Sequence, residues 1–526
     1  MPVVPFPEWL PDQADFTNPG SPLIKNCVPL TAGSYGPMPT PHPFSTNALD
    51  ERCQGAHSMK DTDGVVHMYA GDRTKLYRMQ LSTASFIDAT RVAGGPYATP
   101  AVDSRGFWSM TSYGNRVVAT NYVDPIQSML TSGYNFTDLS ATAPKARFAA
   151  TVKDFLMVAS TQDAVYGPVP YRVWWSALGQ PDVWPTPGSI TAAQLQSDYQ
   201  DLVQTDIGNI TGLMSGFLGS VDAAIWCEKG IWAANYTGPP TLFGFRLVQG
   251  APGTLSPLSL VQNRIRTAQG TYIPAAFYLA EDGFNMFDGT GSTPIGSLKF
   301  DREFLRELNA AYIGYVQGAA DPISKLIYWA FASPTSSEGL FDRILVYNWE
   351  LQRGVISELV APHNRSEWLS RGTYGTPPLS LDELDPFGNL ETLRPSLDDP
   401  FWQGKGLSRL SVFNSEHKLS TWVGPAMAAT LDIGEMQPSP GRRSWVNSVR
   451  PLLDGGAGSG TVAIGHRDRL DQPVVWEAEV PTNILGECPQ RVTGRYVRFR
   501  FRLPAAQEFQ HIQGLEIDAR PEGKLR

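Results

Sequence analysis

Two pairs of neighbouring carboxylates, Asp382-Glu383 and Asp398-Asp399, come nearest in this chain to residues spaced for chemistry. Held several ångströms apart, such carboxyls could act as general acid and base in glycoside hydrolysis, or supply oxygen ligands to Ca²⁺. Both pairs lie in residues 379–400, LSLDELDPFGNLETLRPSLDDP, which carry six acids against one Arg. Neighbouring acids close to Pro are usual in solvated turns, and that reading is preferred. His42, His57, His67, His363, His417, His466 and His511 never fall at i, i+4, and none lies two residues from a Cys. No metal site is expected from them. Cys27, Cys53, Cys227 and Cys488 form no C-x-x-C and read as reduced, buried thiols. Asp288-Gly289-Thr290-Gly291 has an inserted Gly that breaks the Asp-Thr-Gly pattern of aspartic proteases and reads as a tight turn. Phosphate-binding glycine loops and the G-x-S-x-G elbow are absent from the sequence. The expectation is a protein that is not an enzyme, with no metal and no cofactor.

The elements that would position any site are short strands. Of 526 residues, 49 are Gly and 43 are Pro, a turn-breaker about every sixth position, which excludes a mainly helical chain. Eleven per cent aromatics, including 14 Trp, fit an all-β fold of sandwiches, barrels or propellers. From about residue 60 to residue 360 a polar or Gly turn followed by an aromatic and β-branched run recurs, marked by Gly64, Gly106, Asp154, Gly230, Gly283 and Lys325. The steps between these markers are 42, 48, 76, 53 and 42 residues. A four-stranded propeller blade needs about 40 to 50 residues, so the series predicts a β-propeller of about six blades. The long step implies an insertion near residues 185–215. Trp108, Trp174-Trp175 and Trp232 could stack on sugars, although blades packing on one another would bury the same rings.

Four segments follow. Residues 1–45 form an extended Pro-rich arm, too rich in Pro to pair as a central strand, and residues 46–360 form the propeller. Residues 361–427 form an acidic, loop-rich excursion ending in a hairpin around Asn414-Ser415-Glu416-His417, and residues 428–526 form a further β-sandwich-like domain. Its clearest strand, Arg495-Tyr496-Val497-Arg498-Phe499-Arg500-Phe501-Arg502, alternates apolar and basic residues. Those Arg side chains would pair with acids or meet a neighbouring subunit. The net charge of −9 divides into −12 over residues 1–440 and +3 beyond, which argues against wrapping nucleic acid. No stretch of 18 or more apolar residues would carry a helix through a membrane, and no membrane insertion is expected. The N-terminus lacks a basic signal region, so synthesis in the cytoplasm is expected.

Three stretches near the N-terminus form a pattern: Trp9-Leu10-Pro11-Asp12 through Asn18-Pro19-Gly20, then Lys25-Asn26-Cys27-Val28-Pro29-Leu30, then Gly33-Ser34-Tyr35-Gly36-Pro37-Met38-Pro39. This pattern resembles the opening of tail nozzle, or tail tubular (hub), proteins of short-tailed bacteriophages. Pro440-Gly441-Arg442-Arg443, Val449-Arg450-Pro451, Gly494 to Arg500 and Gln513 to Ala519 look like their C-terminal region. The resemblance implies a structural virion protein of the tail, made in the bacterial host cytoplasm. Six copies would form the distal tube that retains and then conducts the genome, contacting the tail adaptor protein, tail fibres or spikes, and DNA passing without sequence-specific binding. An acidic lumen would repel phosphates and let the duplex slide. Trp9, Leu10, Pro11, Asp12, Asn18, Pro19 and Gly20 are then the candidate assembly arm, reaching a neighbour or the adaptor. Arg495, Arg498, Arg500 and Arg502 are the candidate interface strand. The alternative is a propeller that binds or cleaves carbohydrate, as a tail adhesin or depolymerase.

Overall fold

A computed structural model describes residues 3–16, 18–217, 221–266, 269–321, 323–336, 338–359, 365–374, 407–455, 460–507 and 509–522. Among the described residues strands far outweigh helices, as the turn-rich composition requires. Five antiparallel four-stranded sheets follow one another over residues 55–88, 109–138, 145–201, 210–247 and 261–294. The strands of each pair in sequence order, and a sixth set covers residues 317–358. First strands pack on first strands: Gly55–Lys60 meets Ser109–Tyr113, which meets Lys145–Val152, which meets Ile210–Ser215. Val261–Arg266 likewise meets Gln317–Asp321, which meets Ser366–Tyr374, and that strand returns to Gly55–Lys60. This is a closed β-propeller. Every one of the six marked openings falls in its own blade.

The blade count is seven. Ser366–Tyr374, Leu407–Asn414 and Leu419–Ala426 form three strands of a seventh sheet, so the hairpin expected within residues 361–427 belongs to the propeller. Its fourth, outer strand comes from the arm. With β1 (Val3–Pro5), β2 (Ile24–Lys25), β3 (Cys27–Thr31) and β4 (Ser34–Pro37) preceding it, β5 (Pro39–Pro43) pairs antiparallel with Leu419–Ala426 through Pro43↔Ser420 and Pro41↔Trp422. Sequence periodicity could not count this blade, because its members lie more than 300 residues apart. Along an edge strand every second N–H points away from the sheet, and Pro39, Pro41 and Pro43 occupy alternate positions. The edge therefore lacks the donors that would recruit a further strand. The 76-residue step has two causes. Asp154 marks the first hairpin of its blade whereas Gly230 marks the second of the next, and residues 176–197, including the short helix Ile190–Leu195, are inserted between Gly167–Trp175 and Asp198–Asp201.

The described residues of 428–526 form two sheets with the arm. One contains β3, β4, His511–Glu522, Arg443–Asp454 and Cys488–Gly494, with β1 also pairing on His511–Glu522. The other contains Ala429–Met436, Tyr496–Leu503 and Thr461–Arg467. This second sheet is continuous with the sixth blade because β2 lies between them, parallel to Arg353–Glu358 and antiparallel to Ala429–Met436. A single apolar core consequently runs from Phe277, Phe284, Trp329 and Tyr347 of the propeller to Val446, Phe499 and Leu515 of the sandwich. Phe6, Trp9, Ile24, Cys27 and Tyr35 of the arm fill the space between.

Trp9→Ala, which leaves the strand pairings in place, should cost about 3–5 kcal/mol through the cavity it opens. Removal of residues 1–44 should abolish cooperative melting, since it strips the seventh blade of its outer strand and opens the shared core. Circular dichroism melts of both variants against the full chain check this; an unchanged transition in the truncated chain would mean that the arm carries no structural load.

Candidate functional site

The arm residues that carry the resemblance gather on the chain's own propeller and sandwich. Trp9 is fully buried, its ring stacked on Phe300 at 5.9 Å and nearly parallel to it. Asp12 caps the helix Asp301–Glu307 from a distance of nearly 300 residues: its carboxylate oxygens accept from the backbone N–H of Arg302 and Glu303, both at 3.0 Å. That helix has Phe300 at its N-cap, which offers no side-chain acceptor, so Asp12 satisfies donors that would otherwise be orphaned. Asn18 folds the arm back on itself, donating to the Leu10 carbonyl at 2.8 Å and accepting from Gly20 N at 2.7 Å. Gly20 lies so close to the outgoing chain that a Cβ there would stand 2.4 Å from the Glu8 carbonyl oxygen and 2.7 Å from Leu10 Cγ. Leu10 and Pro11 are half-buried in this fold-back, and Pro19 faces outward. Beyond it, Ser21 Oγ donates to the Asp432 carbonyl of the sandwich at 2.6 Å.

The basic strand has a similar fate. Tyr496–Leu503 is a central strand between Ala429–Met436 and Thr461–Arg467, so its backbone is fully engaged. Val497, Phe499, Phe501 and Leu503 point into the core, and the Arg residues lie on the other face against a matching set of acids. Arg500 grips Asp432 with two 2.8 Å hydrogen bonds, and its guanidinium lies 4.4 Å from the centre of the Trp476 ring. Arg498 pairs with Asp15 of the arm, and Arg502 with Glu479. Arg495 has no ion-pair partner among the described residues; its guanidinium lies 5.6 Å from the Tyr496 ring and its backbone N–H donates to Asp468. The seats for the arm and for this strand therefore adjoin: Phe16 meets Tyr496 edge-on at 5.2 Å. Both candidate sets form one patch on a single chain.

The remaining candidates resolve individually. Asp288 is a turn former, its Oδ1 accepting from Thr290 N at 2.8 Å and Gly291 N at 3.0 Å. The four Cys are free and buried; burial lifts the thiols of Cys27, Cys53, Cys227 and Cys488, the last to about 11, which removes thiolate chemistry at neutral pH. His417 binds the buried Glu367 carboxylate at 2.9 Å, and that hydrogen bond raises its pKa. His57 is half-buried, and desolvation holds it down to about 4. Among the described residues no three His, Cys, Asp or Glu converge as ligands. Trp108 and Trp175 are buried, and Trp175 packs on Phe243 at 5.1 Å, so their faces serve packing between strands and blades. Asp382, Glu383, Asp398 and Asp399 lie outside the described residues, as does His363.

Sequence reading missed Asp301. It is 6% exposed, its Oδ1 accepts from Phe284 N at 3.2 Å, and its Oδ2 has no partner among the described residues. The carboxyl is enclosed by Gly283 and Gly296, whose Cβ atoms, if present, would stand 2.2 and 2.0 Å from it. Desolvation, with smaller contributions from the Asp12 and Asp282 carboxylates, lifts its pKa to about 7. Nothing in a lone Asp after Lys299-Phe300 signals this, since the enclosure is built by loops from other strands.

The folded chain thus holds a proton on Asp301 from near pH 4, where the unfolded chain releases it, up to about pH 7. The folded state binds the extra proton in that window, so stability should fall as pH rises through it and level off above. Asp301→Asn should flatten this slope and exceed the wild type at pH 8 by a few kcal/mol, at about 1.4 kcal/mol per pKa unit. Urea titrations of both proteins between pH 5 and 8 check the sign.

No protein-family model and no curated protein sequence matches this chain. Among solved structures it is similar to Ika8, a computationally designed protein, at 10% identity over 79% of this chain and 99% of that one, with a TM-score of 0.36. YCF48 from Cyanidioschyzon merolae is similar at 8% identity over 73% and 99%, with a TM-score of 0.37. The N-terminal domain of Nup159 is similar at 10% identity over 52% and 72%, with a TM-score of 0.29.

Proposed function

We propose that this chain is a structural, non-enzymatic subunit of the distal tail of a short-tailed bacteriophage, working as one of about six copies in a ring around the DNA path. The observation that carries the reading is spatial. The stretches that resemble tail nozzle proteins lie at opposite ends of the sequence, and in the fold they form one unit. Asp15 pairs with Arg498, Phe16 meets Tyr496 edge-on, and Tyr35 pairs with Ile512, the residue before Gln513. Chance matches of common turn residues would have no reason to meet across the fold.

The charge distribution fits a channel formed between copies better than one along the propeller axis. The innermost strands carry Lys60, Lys145, Arg147, Arg264 and Arg266 against Asp321 and Glu367, whereas the outermost strands carry Asp88, Asp138, Asp198, Asp201 and Glu358 against Arg246 and Arg353. Asp88, Asp138 and Asp201 are paired with Lys75, Arg91 and Arg172, so of this set Asp198 is the rim acid that a lumen shared by neighbouring copies would meet. Because the buried side of the arm is used within its own chain, contacts between copies would fall on its outward residues, such as Ala14 and Pro19, and on the outer blades. Tail fibres or spikes and the tail adaptor are the partners this position would bring.

Mass photometry and negative-stain images of the purified protein should give closed rings of about six chains. Single copies only, both alone and mixed with the portal and adaptor complex of the virion, would overturn the reading.

A further inference from the structure

Between the second and third blades lies a cleft of about 600 Å³, lined on one side by Asp138, Ser140 and Thr142 and on the other by Asp163, Tyr166 and Trp174. It combines features that packing alone does not explain. Asp163 stands at the turn before Gly167–Trp175, and its Oδ1 is pinned by the N–H groups of Val165 and Tyr166 at 2.7 and 2.8 Å. Among the described residues its buried Oδ2 has no partner. Trp174 is 5% exposed, and its indole N–H also lacks a partner. A fixed acceptor and a fixed donor, each dehydrated and unused, cost stability unless something completes them. Beside them Tyr166 is 44% exposed, a ring kept in place by the Arg172 guanidinium 4.3 Å from its centre and by the edge of Trp174.

We propose that this cleft binds a neutral sugar ring of the hexopyranose type. A hydroxyl both donates and accepts, so adjacent hydroxyls of one ring can serve Asp163 Oδ2 and Trp174 Nε1 together, while the apolar face of the ring lies on Tyr166. A proline-rich peptide would accept from the indole but has no N–H at Pro to give the carboxylate. A sugar acid is disfavoured by charge. The nearby cations are already engaged: Arg172 holds Asp201 with bonds of 2.7 and 2.9 Å, Arg91 bridges Asp124 and Asp138, and Lys145 donates to the Val123 carbonyl. The cleft is formed by one chain's two blades, so it stands whether or not copies assemble into a ring. The sugar-stacking role first considered for the face of Trp174 falls instead to Tyr166, with Trp174 supplying its edge.

Saturation-transfer NMR with free glucose, galactose, mannose and N-acetylglucosamine, run beside an array carrying the same units within longer glycans, tests the site on the full-length protein. Binding in either arm is expected, with millimolar affinity for a free ring. Signal on the array alone would assign the ligand to a chain rather than a free sugar. Asp163→Asn keeps the turn's acceptor and Tyr166→Phe keeps the ring; the first should weaken binding about tenfold, and the second should leave it intact while Tyr166→Ala abolishes it. Melting curves matching the wild type keep these comparisons clear of misfolding. No binding in both arms, binding unchanged by Asp163→Asn and Tyr166→Ala, or binding of an oligoproline peptide without any sugar would each overturn the proposal.

Discussion

The whole architecture depends on strand addition by the first 45 residues. Five short strands of the arm enter sheets whose other members lie hundreds of residues downstream, completing both the seventh blade and the two faces of the sandwich. Joining distant parts of a chain costs loop-closure entropy that grows only slowly with separation. Each arm residue that is buried then returns apolar transfer free energy and backbone hydrogen bonds. Phe6, Trp9, Ile24, Cys27 and Tyr35 are almost entirely removed from water. At about 1.5–3 kcal/mol for a large side chain, a handful of them outweighs that closure cost. A propeller ring held shut by a strand from its far end, fused to a sandwich through a two-residue strand, therefore behaves as one body.

That constraint explains where polar chemistry is found. The Arg ladder of Tyr496–Leu503 could have served an external partner, yet Asp432, Glu479 and the arm's Asp15 stand within ion-pair reach. Asp12 is spent on a helix N-terminus for a similar reason: the helix Asp301–Glu307 starts without a capping residue of its own. Close packing beneath this cap leaves Asp301 with one unsatisfied oxygen, and so the arm's seat carries the fold's most perturbed described carboxyl. Between blades two and three, Asp163 Oδ2 and Trp174 Nε1 likewise lack partners among the described residues, and their side chains line a cleft.

Much of the blade pattern was legible locally. A turn followed by alternating aromatic and β-branched residues is written in consecutive positions, and each of the six openings marks a blade because a blade is a local meander. The turn at Asp288, the buried thiols and the packing of Trp108 and Trp175 could be read the same way, each from residue type and immediate neighbours. The seventh blade could not. Leu407–Asn414 and Leu419–Ala426 were visible as a hairpin, but their place in the ring depends on β5, and Pro39-Thr40-Pro41-His42-Pro43 looks like anything but a strand until an edge is there to receive it. Orphaned atoms such as Asp163 Oδ2 and Trp174 Nε1 leave no trace in sequence, since a side chain's lack of a partner is a property of its surroundings.

Taken alone, then, the sequence determined an all-β chain with periodic four-stranded units, a Pro-rich arm and a basic alternating strand, because strand period, turn chemistry and proline's missing N–H act over a few residues. Only the tertiary structure decided that the arm is an integral part of its own chain, that Arg498, Arg500 and Arg502 are neutralised within it, and that an acceptor and a donor are left open in the cleft between two blades. Those outcomes turn on which distant surfaces meet, and burial and hydrogen-bond satisfaction are assigned only once they have met.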